Sequence, residues 1–472
     1  MNLKELVRLE TMACSSAAKP FSPEEAQSLV QQLQQPAVFS DMASDWPVLQ
    51  WNVQHLSKCL QQKLVKFRMG RREQTQTPLF ETQCTFVNAT MGEFMRWAED
   101  GERGEDIGLL AKFPKAEYWA YADYKYIKEV FKRRPHMFED VQWCDFGFEG
   151  RGGKESTLWV GTAGANTPCH LDSYGCNLVL QVQGRKRWHL FPPEDSSRLY
   201  PTRIPYEESS IFSQVDVLNP DLRRFGDFRG ARAHTVTLQP GQVLFVPRHW
   251  WHYVESLSPV TVSVNSWIEL AEDDEARVSE AVTRAVVCAL KSAPSDDNQD
   301  EWINPTEIRA SSHVQNMRFL NLALTSVSQR RSPSPRSLSP LGRPIKRSHG
   351  GQNLPPSPPF GPHLTPVLCG PPPDAKATAT ATCTCGRKAL EPGLRVNPEM
   401  VRPLRALKSM SVVDYKREGE DVEAGSGGGE GATGATVSTN DLLDVLVHPD
   451  IIKHVTEMLI QRHSGGKRTE LD

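Results

Sequence analysis

Two stretches of the sequence carry side chains that can bind a metal ion. The first, residues 167–172, reads TPCHLD and offers an imidazole and a carboxylate two positions apart. Because residues i and i+2 of an extended strand point to the same face, His170 and Asp172 can reach one point in space. The second, residues 240–252, reads PGQVLFVPRHWWH and adds an imidazole at the end of an apolar strand. Two imidazoles and one carboxylate form the ligand set of non-haem Fe(II) oxygenases, which leaves coordination positions open for substrate and O₂.

Short strands separated by turn signals surround both stretches, which predicts an antiparallel β-barrel. The last of them, residues 260–267, alternates valines with Thr, Ser, Asn and Trp. A half-polar inward face is expected of a barrel that holds a charged ligand rather than a packed core. The predicted strands are 157–161, 178–182, 187–191, 235–238, 243–246 and 260–267.

Six motifs follow one another in a fixed order around these strands. They are Thr167-Pro168-x-His170-x-Asp172, Gly184-x-Lys186-Arg187, Leu190-Phe191-Pro192-Pro193, Pro240-Gly241-x-x-Leu244, Pro247-x-x-Trp250-Trp251-His252 and Val264-Asn265-x-Trp267. Their order and spacing resemble the JmjC, or cupin-like, family of 2-oxoglutarate oxygenases. The resemblance is closer to the branch that contains the asparaginyl hydroxylase of hypoxia-inducible factor, and it covers roughly residues 30 to 290. It implies a mainly β fold, a double-stranded β-helix (cupin or jelly-roll) barrel with flanking helices.

The resemblance also implies a metal centre and its co-substrates. The ligands of Fe(II) would be His170, Asp172 and His252, with 2-oxoglutarate and O₂ as co-substrates. His249 is a rival for the third position, and the family's Trp-Trp-His order favours His252. No catalytic residue is predicted beyond the metal ligands.

Five further residues match positions that bind the co-substrate in the resembled family. Lys186 would supply the cation for the distal carboxylate of 2-oxoglutarate, and Thr167 would donate a hydrogen bond to the same carboxylate. Asn177 and Asn265 match amide positions that line the family pocket. Tyr121 is the best match to a family tyrosine whose hydroxyl contacts the co-substrate, with simple packing as the alternative.

The implied function is an Fe(II)- and 2-oxoglutarate-dependent oxygenase that hydroxylates a protein side chain. One alternative is an inactive or weakly active JmjC scaffold that binds a protein partner. The layout resembles a JmjC subgroup that associates with small heat-shock proteins, which implies such a partner in the stress response. Another alternative is an RNA-base hydroxylase, since a related branch modifies tRNA. A histone demethylase is less favoured, because the sequence has no zinc-finger reader with paired Cys-x-x-Cys spacing.

The bulk composition narrows the class of partner and the compartment. A net charge of −3 points neither to nucleic acid nor to an anionic membrane. The first residues lack the apolar core of a signal peptide, and no apolar run reaches transmembrane length. The ten cysteines show no framework spacing, and Cys169 and Cys176 flank the metal motif. We therefore expect reduced thiols in a cytoplasmic or nuclear protein.

The chain divides into four predicted parts. Residues 1–290 would hold N-terminal helices and the oxygenase domain, and 291–325 a helical extension. In the resembled hydroxylase such helices mediate dimerisation, which makes a homodimer an open expectation. Residues 326–436 are rich in Pro, Ser and Gly, and we predict disorder because they cannot bury enough apolar surface to offset ordering entropy. Residues 437–465 regain helical apolar spacing and predict an amphipathic element that binds a partner or a second copy rather than its own barrel.

Overall fold

A computed structural model describes residues 19–73, 75–100, 105–297, 301–305, 310–331, 360–370 and 437–464. The strands are β1 Ala37–Phe39, β2 Leu64–Arg71, β3 Thr85–Thr90, β4 Tyr118–Tyr126, β5 Thr157–Thr162, β6 Asn166–Asp172, β7 Cys176–Gln183, β8 Lys186–Phe191, β9 Pro201–Glu207, β10 Ser210–Ser213, β11 His234–Leu238, β12 Val243–Val246, β13 Trp251–Ser256, β14 Val260–Ile268 and β15 Leu364–Pro366. The α-helices are α1 Pro23–Gln32, α2 Val53–Leu60, α3 Met91–Asp100, α4 Ile127–Val130, α5 Asp273–Lys291, α6 His313–Arg331, α7 Thr439–Leu446 and α8 Pro449–Ser464.

Two antiparallel sheets form the centre of the molecule. The larger has the strand order β15-β1-β12-β7-β14-β5-β4-β2-β3, and the smaller has the order β11-β8-β13-β6-β10-β9. Neighbours such as β7 and β14 are far apart in sequence, as expected where strands wind between two sheets rather than along one. The mainly β barrel with flanking helices that the sequence predicted is confirmed.

Side-chain alternation divides the larger sheet into two faces. On β14, Val262 and Val264 pack into the main hydrophobic core together with Leu178 and Leu180 of β7. That core continues into α1, α2 and α3, so the N-terminal helices cover the outer face of the sheet. The intervening residues of β14, including Ser263, line a cavity between the sheets. The period of two therefore separates a dry outer face from a polar inner face.

A buried ion pair fixes α5 to the barrel. The guanidinium of Arg203 on β9 donates hydrogen bonds of 2.9 and 2.6 Å to the two carboxylate oxygens of Glu280 on α5. The hydroxyl of Tyr206 donates a third hydrogen bond to this carboxylate at 2.8 Å. Burial raises the pKa of the Glu280 carboxyl, but Arg203 and the hydrogen bonds outweigh burial and hold this pKa below its ordinary value.

The C-terminal helices pack on their own chain, which corrects the expectation that they bind a partner or a second copy. Leu443 of α7 and Ile452 and Ile460 of α8 are buried in one cluster with Val278 of α5 and Leu324 of α6. The reason is that α5 and α6 present an apolar surface of their own, and an amphipathic helix buries its stripe on a surface within reach. Among the described helices, none combines the length and apolar character needed to cross a membrane.

The prediction of disorder from 326 to 436 is wrong in two places. Helix α6 continues through Arg331, and residues 360–370 are described and contain β15, which pairs with β1. Composition missed this strand because its buried anchors, Leu364 and Val367, are few within a proline-rich stretch. Residues 332–359 and 371–436 lie outside the described residues, so the prediction for them is untested.

Candidate metal centre and the adjoining cavity

Strands β6 and β13 bring two histidines face to face. His170 and His252 are direct partners in the antiparallel ladder between these strands, and their ring centroids are 4.2 Å apart. Asp172 lies two residues after His170 on the same strand, with its Oδ1 atom 3.9 Å from Nε2 of His170. One ligand atom from each of the three residues lies within 4.8 Å of the others. The fold thus brings together the three residues that the sequence singled out as metal ligands.

Backbone carbonyls fix the tautomer of both imidazoles. Nδ1 of His170 is 2.9 Å from the carbonyl oxygen of Pro168, and Nδ1 of His252 is 3.0 Å from that of Trp250. Because a carbonyl oxygen only accepts, Nδ1 carries a proton in each ring, and Nε2 is the atom through which the neutral imidazole can bind a metal. Burial, with a smaller effect of His170, lowers the pKa of His252 to about 4. His252 is therefore neutral near pH 7, the state in which imidazole binds a metal.

An indole orients the carboxylate. Nε1 of Trp267, at the end of β14, donates a hydrogen bond of 2.9 Å to Oδ2 of Asp172. The other oxygen, Oδ1, remains on the side of His170. The sequence placed Trp267 on the polar face of its strand but gave it no role, because the contact joins residues 95 positions apart. Such outer contacts to a ligating carboxylate set its orientation and basicity.

His249 takes no part in this group. Its Nε2 atom is 3.0 Å from the carbonyl oxygen of Ser173, in the turn after β6. Its backbone has a φ of 64°, a left-handed conformation that ends the preceding loop and turns the chain into β13. The geometry favours His252 over His249.

A cavity adjoins the two histidines, and Trp267, which donates to Asp172, lines it as well. All five residues that the sequence assigned to the co-substrate line it, and so do both histidines. Aromatic rings form much of the remaining wall. The lining comprises Tyr121, Tyr124, Trp159, Thr167, His170, Asn177, Lys186, Trp188, His252, Val254, Ser263, Asn265 and Trp267.

Lys186 is a buried amine with no counter-ion among the described residues. Lys186 is the first residue of β8 and is 2% exposed. Its Nζ atom donates hydrogen bonds to Oγ of Ser263 at 2.8 Å and to the hydroxyl of Tyr121 at 3.1 Å. Burial lowers the pKa of Lys186 to about 7, and Asp123 only partly opposes this. Within the described part of the chain, no carboxylate forms an ion pair with it. A buried ammonium in this state is stabilised by an anion that enters the cavity.

Several other buried polar atoms in the cavity wall lack a partner. Oδ1 of Asn177, Oδ1 of Asn265 and Nε1 of Trp188 make no hydrogen bond to any residue that the structure describes. The Tyr121 hydroxyl, by contrast, accepts the hydrogen bond from Nζ of Lys186. A buried donor or acceptor without a partner costs free energy that a bound polar ligand recovers. The indole N–H of Trp188 can donate to a ligand oxygen, whereas the two amide oxygens need donor groups, such as those of ordered water or a substrate.

A charged layer that the sequence did not reveal supports the wall behind Tyr121. Nε of Arg68 on β2 donates to Asp123 on β4 at 2.7 Å, and Nη2 donates to the carbonyl of Asn166, the first residue of β6, at 2.8 Å. The Arg68 guanidinium also lies 5.7 Å from the centroid of the Tyr121 ring. Nearby, burial and then Asp123 raise the pKa of the Glu81 carboxyl to about 8. Arg68 thus links the two sheets beside the cavity.

Comparison with known proteins agrees with this class of fold. The family model described as "Cupin-like domain" matches residues 23–273. The chain belongs to this cupin-like family.

Relatives that match 94% of this chain carry the name HSPB1-associated protein 1 or its homolog. A protein from Danio rerio named "HSPB1-associated protein 1 homolog" is 52% identical over 452 residues, which cover 94% of this chain and 98% of the relative. "HSPB1-associated protein 1" from Homo sapiens is 46% identical over 470 residues, with 94% and 95% covered. "Lysine-specific demethylase 8" from Xenopus tropicalis is 29% identical over 242 residues, which cover 50% of this chain and 48% of that protein. The resemblance to the JmjC family is confirmed.

Proposed function

We propose that the chain is an Fe(II)- and 2-oxoglutarate-dependent oxygenase that hydroxylates a protein side chain. The observation that carries the proposal is a group of two imidazoles and one oriented carboxylate, next to a cavity that contains one buried lysine ammonium. The first three groups suit a ferrous ion, and the fourth suits the free carboxylate of a dicarboxylic co-substrate.

The donor set supports iron over a closed structural metal site. Nε2 of His170, Nε2 of His252 and the Asp172 carboxylate would fill three coordination positions, and the described residues supply no fourth histidine, cysteine or carboxylate to the group. Three protein ligands leave positions open for exchangeable ligands, whereas structural zinc sites use four.

The residues of the cavity wall would hold and orient the co-substrate. Lys186 would pair with its distal carboxylate, with hydroxyls of Tyr121, Ser263 and Thr167 nearby to share hydrogen bonds. The unpaired amide oxygens and indole N–H of the wall would orient the substrate or ordered water at the same site. When bound, iron and 2-oxoglutarate supply oxidative decarboxylation: 2-oxoglutarate, O₂ and a C–H group give succinate, CO₂ and a C–OH group.

A second function, the binding of a protein partner, is favoured by the names of the relatives. The relatives that match nearly all of this chain are named for association with HSPB1, a small heat-shock protein. We propose the same class of partner for this chain, as a substrate of the cavity or as a protein bound elsewhere on the surface.

Succinate release tests the enzymatic proposal. The full chain is reconstituted with Fe(II) without oxygen, then given 2-oxoglutarate and air, with and without peptides of a small heat-shock protein. We expect the wild-type chain to release one succinate for each 2-oxoglutarate consumed, and Asp172→Ala to release none. His249→Asn is the matched control, because Asn tolerates the left-handed backbone there and His249 lies outside the group. If wild-type chain that has bound iron and 2-oxoglutarate released no succinate under any condition, the scaffold function would replace the oxygenase.

A further inference from the structure

The outer strand of the larger sheet is covered by a distant piece of the same chain. Without β15, the three residues of β1 would form the edge of that sheet. A free edge offers unpaired N–H and C=O groups to any extended peptide. Residues 360–370, which we call the strap, occupy this edge.

Main-chain hydrogen bonds hold the strap. β15 pairs antiparallel to β1, with Thr365 opposite Val38 and Leu364 opposite Phe39. The ladder is extended at both ends, because Ser40 N–H donates to the His363 carbonyl at 3.0 Å and Val367 N–H donates to the Pro36 carbonyl at 2.9 Å. These bonds use only backbone atoms, so they do not depend on the identity of the bound segment.

Two apolar side chains of the strap are anchored in different pockets. Leu364 is 0% exposed and joins the main core beside Phe39. Val367 is 4% exposed and joins a separate cluster with Val38 and Trp250. Thr365, between them, is exposed. The edge of the sheet therefore binds two apolar side chains that are three positions apart in the strap.

The strap is a short segment between long connections. Residues 332–359 separate it from α6, and residues 371–436 separate it from α7. Connections of these lengths can span far more than the distance across a domain of this size, so neither helix dictates that the strap must be here. What holds the strap is the ladder, its two anchors, the partly buried Phe360 against the main core, and contacts of His363 with Asp41 and of Gly370 with Ala233. A ladder with apolar anchors is also the way strand addition recognises a peptide from another protein.

We propose that the edge of β1 is a peptide-binding groove that recognises apolar residues three positions apart in an extended segment. The strap occupies the groove within the chain, and a partner protein with the same pattern binds by displacing it. The test measures peptide binding alone, so it does not depend on the oxygenase proposal.

A labelled peptide of residues 360–370 is the probe, and fluorescence anisotropy measures its binding to the full chain. Two variants release the groove: Leu364→Ala with Val367→Ala, and replacement of 360–370 by a Gly-Ser sequence of equal length. We expect both to bind the peptide at least about tenfold more tightly than wild type, because a tethered segment competes at an effective concentration up to the millimolar range. Equal binding by wild type and both variants, or no binding at all, would overturn the proposal.

Altered peptides test which side chains of the peptide the groove recognises. Leu364→Ala and Val367→Ala peptides should each lose at least about tenfold in affinity, whereas the exposed Thr365→Ala change is the matched control and should bind as the parent does. A serine host peptide that keeps only these Leu and Val residues should still bind. If the serine host peptide did not bind, recognition through the spacing of the two apolar residues would be contradicted. If the wild-type chain is a dimer that dissociates when the strap is removed, the strap binds the groove of a second copy of this chain. That result would overturn the proposal that the groove binds another protein.

Discussion

The indole of Trp267 donates a hydrogen bond of 2.9 Å to Oδ2 of Asp172, and thereby ties the last barrel strand to the carboxylate of the candidate metal centre. Trp267→Phe keeps the ring and removes the N–H. We expect the affinity for Fe(II) to fall by about 10–100-fold with the fold unchanged. Trp97→Phe is the control, since its indole bonds the Phe113 carbonyl in the outer core, away from the cavity. Unchanged iron affinity in Trp267→Phe would show that this bond does not orient the ligand.

The affinity for 2-oxoglutarate should depend on pH through Lys186. The pKa of this ammonium is lowered to about 7 in the free chain, so above pH 7 the lysine is largely neutral and must take up a proton to pair with the carboxylate. We expect affinity to weaken by up to tenfold per pH unit between pH 7 and 9, as measured by anaerobic calorimetry with iron present. Lys186→Met should bind far more weakly and lose the slope. A flat profile in the wild type would remove Lys186 from the co-substrate site.

The Arg203–Glu280 pair should contribute strongly to the stability of the fold. Arg203→Met leaves the buried carboxylate without its cation, and we expect the free energy of unfolding to fall by about 3–5 kcal/mol. The double variant Arg203→Met, Glu280→Leu should recover most of that loss, because no charge remains buried. Chemical denaturation measures both. A double variant as unstable as the single one would mean that packing, not charge, sets the cost.

Two neighbouring leucines test how the C-terminal helices pack. Leu443 is 0% exposed against α5 and α6, whereas Leu442 is 44% exposed. Leu443→Ala should lower stability by about 2–5 kcal/mol, and Leu442→Ala by no more than about 0.5 kcal/mol. Equal, small effects in thermal and chemical denaturation would indicate that α7 and α8 leave the chain in solution, as an element reserved for a partner would.

Local spacing was enough to predict part of the site. The period of two along a strand puts His170 and Asp172 on one face, and the alternation of β14 gave a polar inner wall. The choice of His252 over His249 needed family resemblance, because it depends on the register of β13 against β6, some eighty residues away in sequence.

The features that the sequence missed all depend on contacts between distant elements. The bond from Trp267 to Asp172, the ion pair of Arg203 with Glu280 and the pairing of β15 with β1 have no local signature. From the sequence alone, a single tryptophan, arginine or leucine is interpreted as a packing or surface residue until its partner is known. The same applies to α7 and α8, whose apolar stripes were recognised but whose binding surface was not.

Iron stoichiometry tests the central claim most directly. The wild-type chain, Asp172→Ala, His252→Ala and the control His249→Asn are reconstituted with Fe(II) without oxygen, freed of loose metal and analysed for iron, with thermal denaturation as a check of folding. The triad predicts one iron per chain in wild type and His249→Asn, and almost none in Asp172→Ala and His252→Ala, all four being folded. Equal iron in all four proteins would contradict a metal centre at His170, Asp172 and His252.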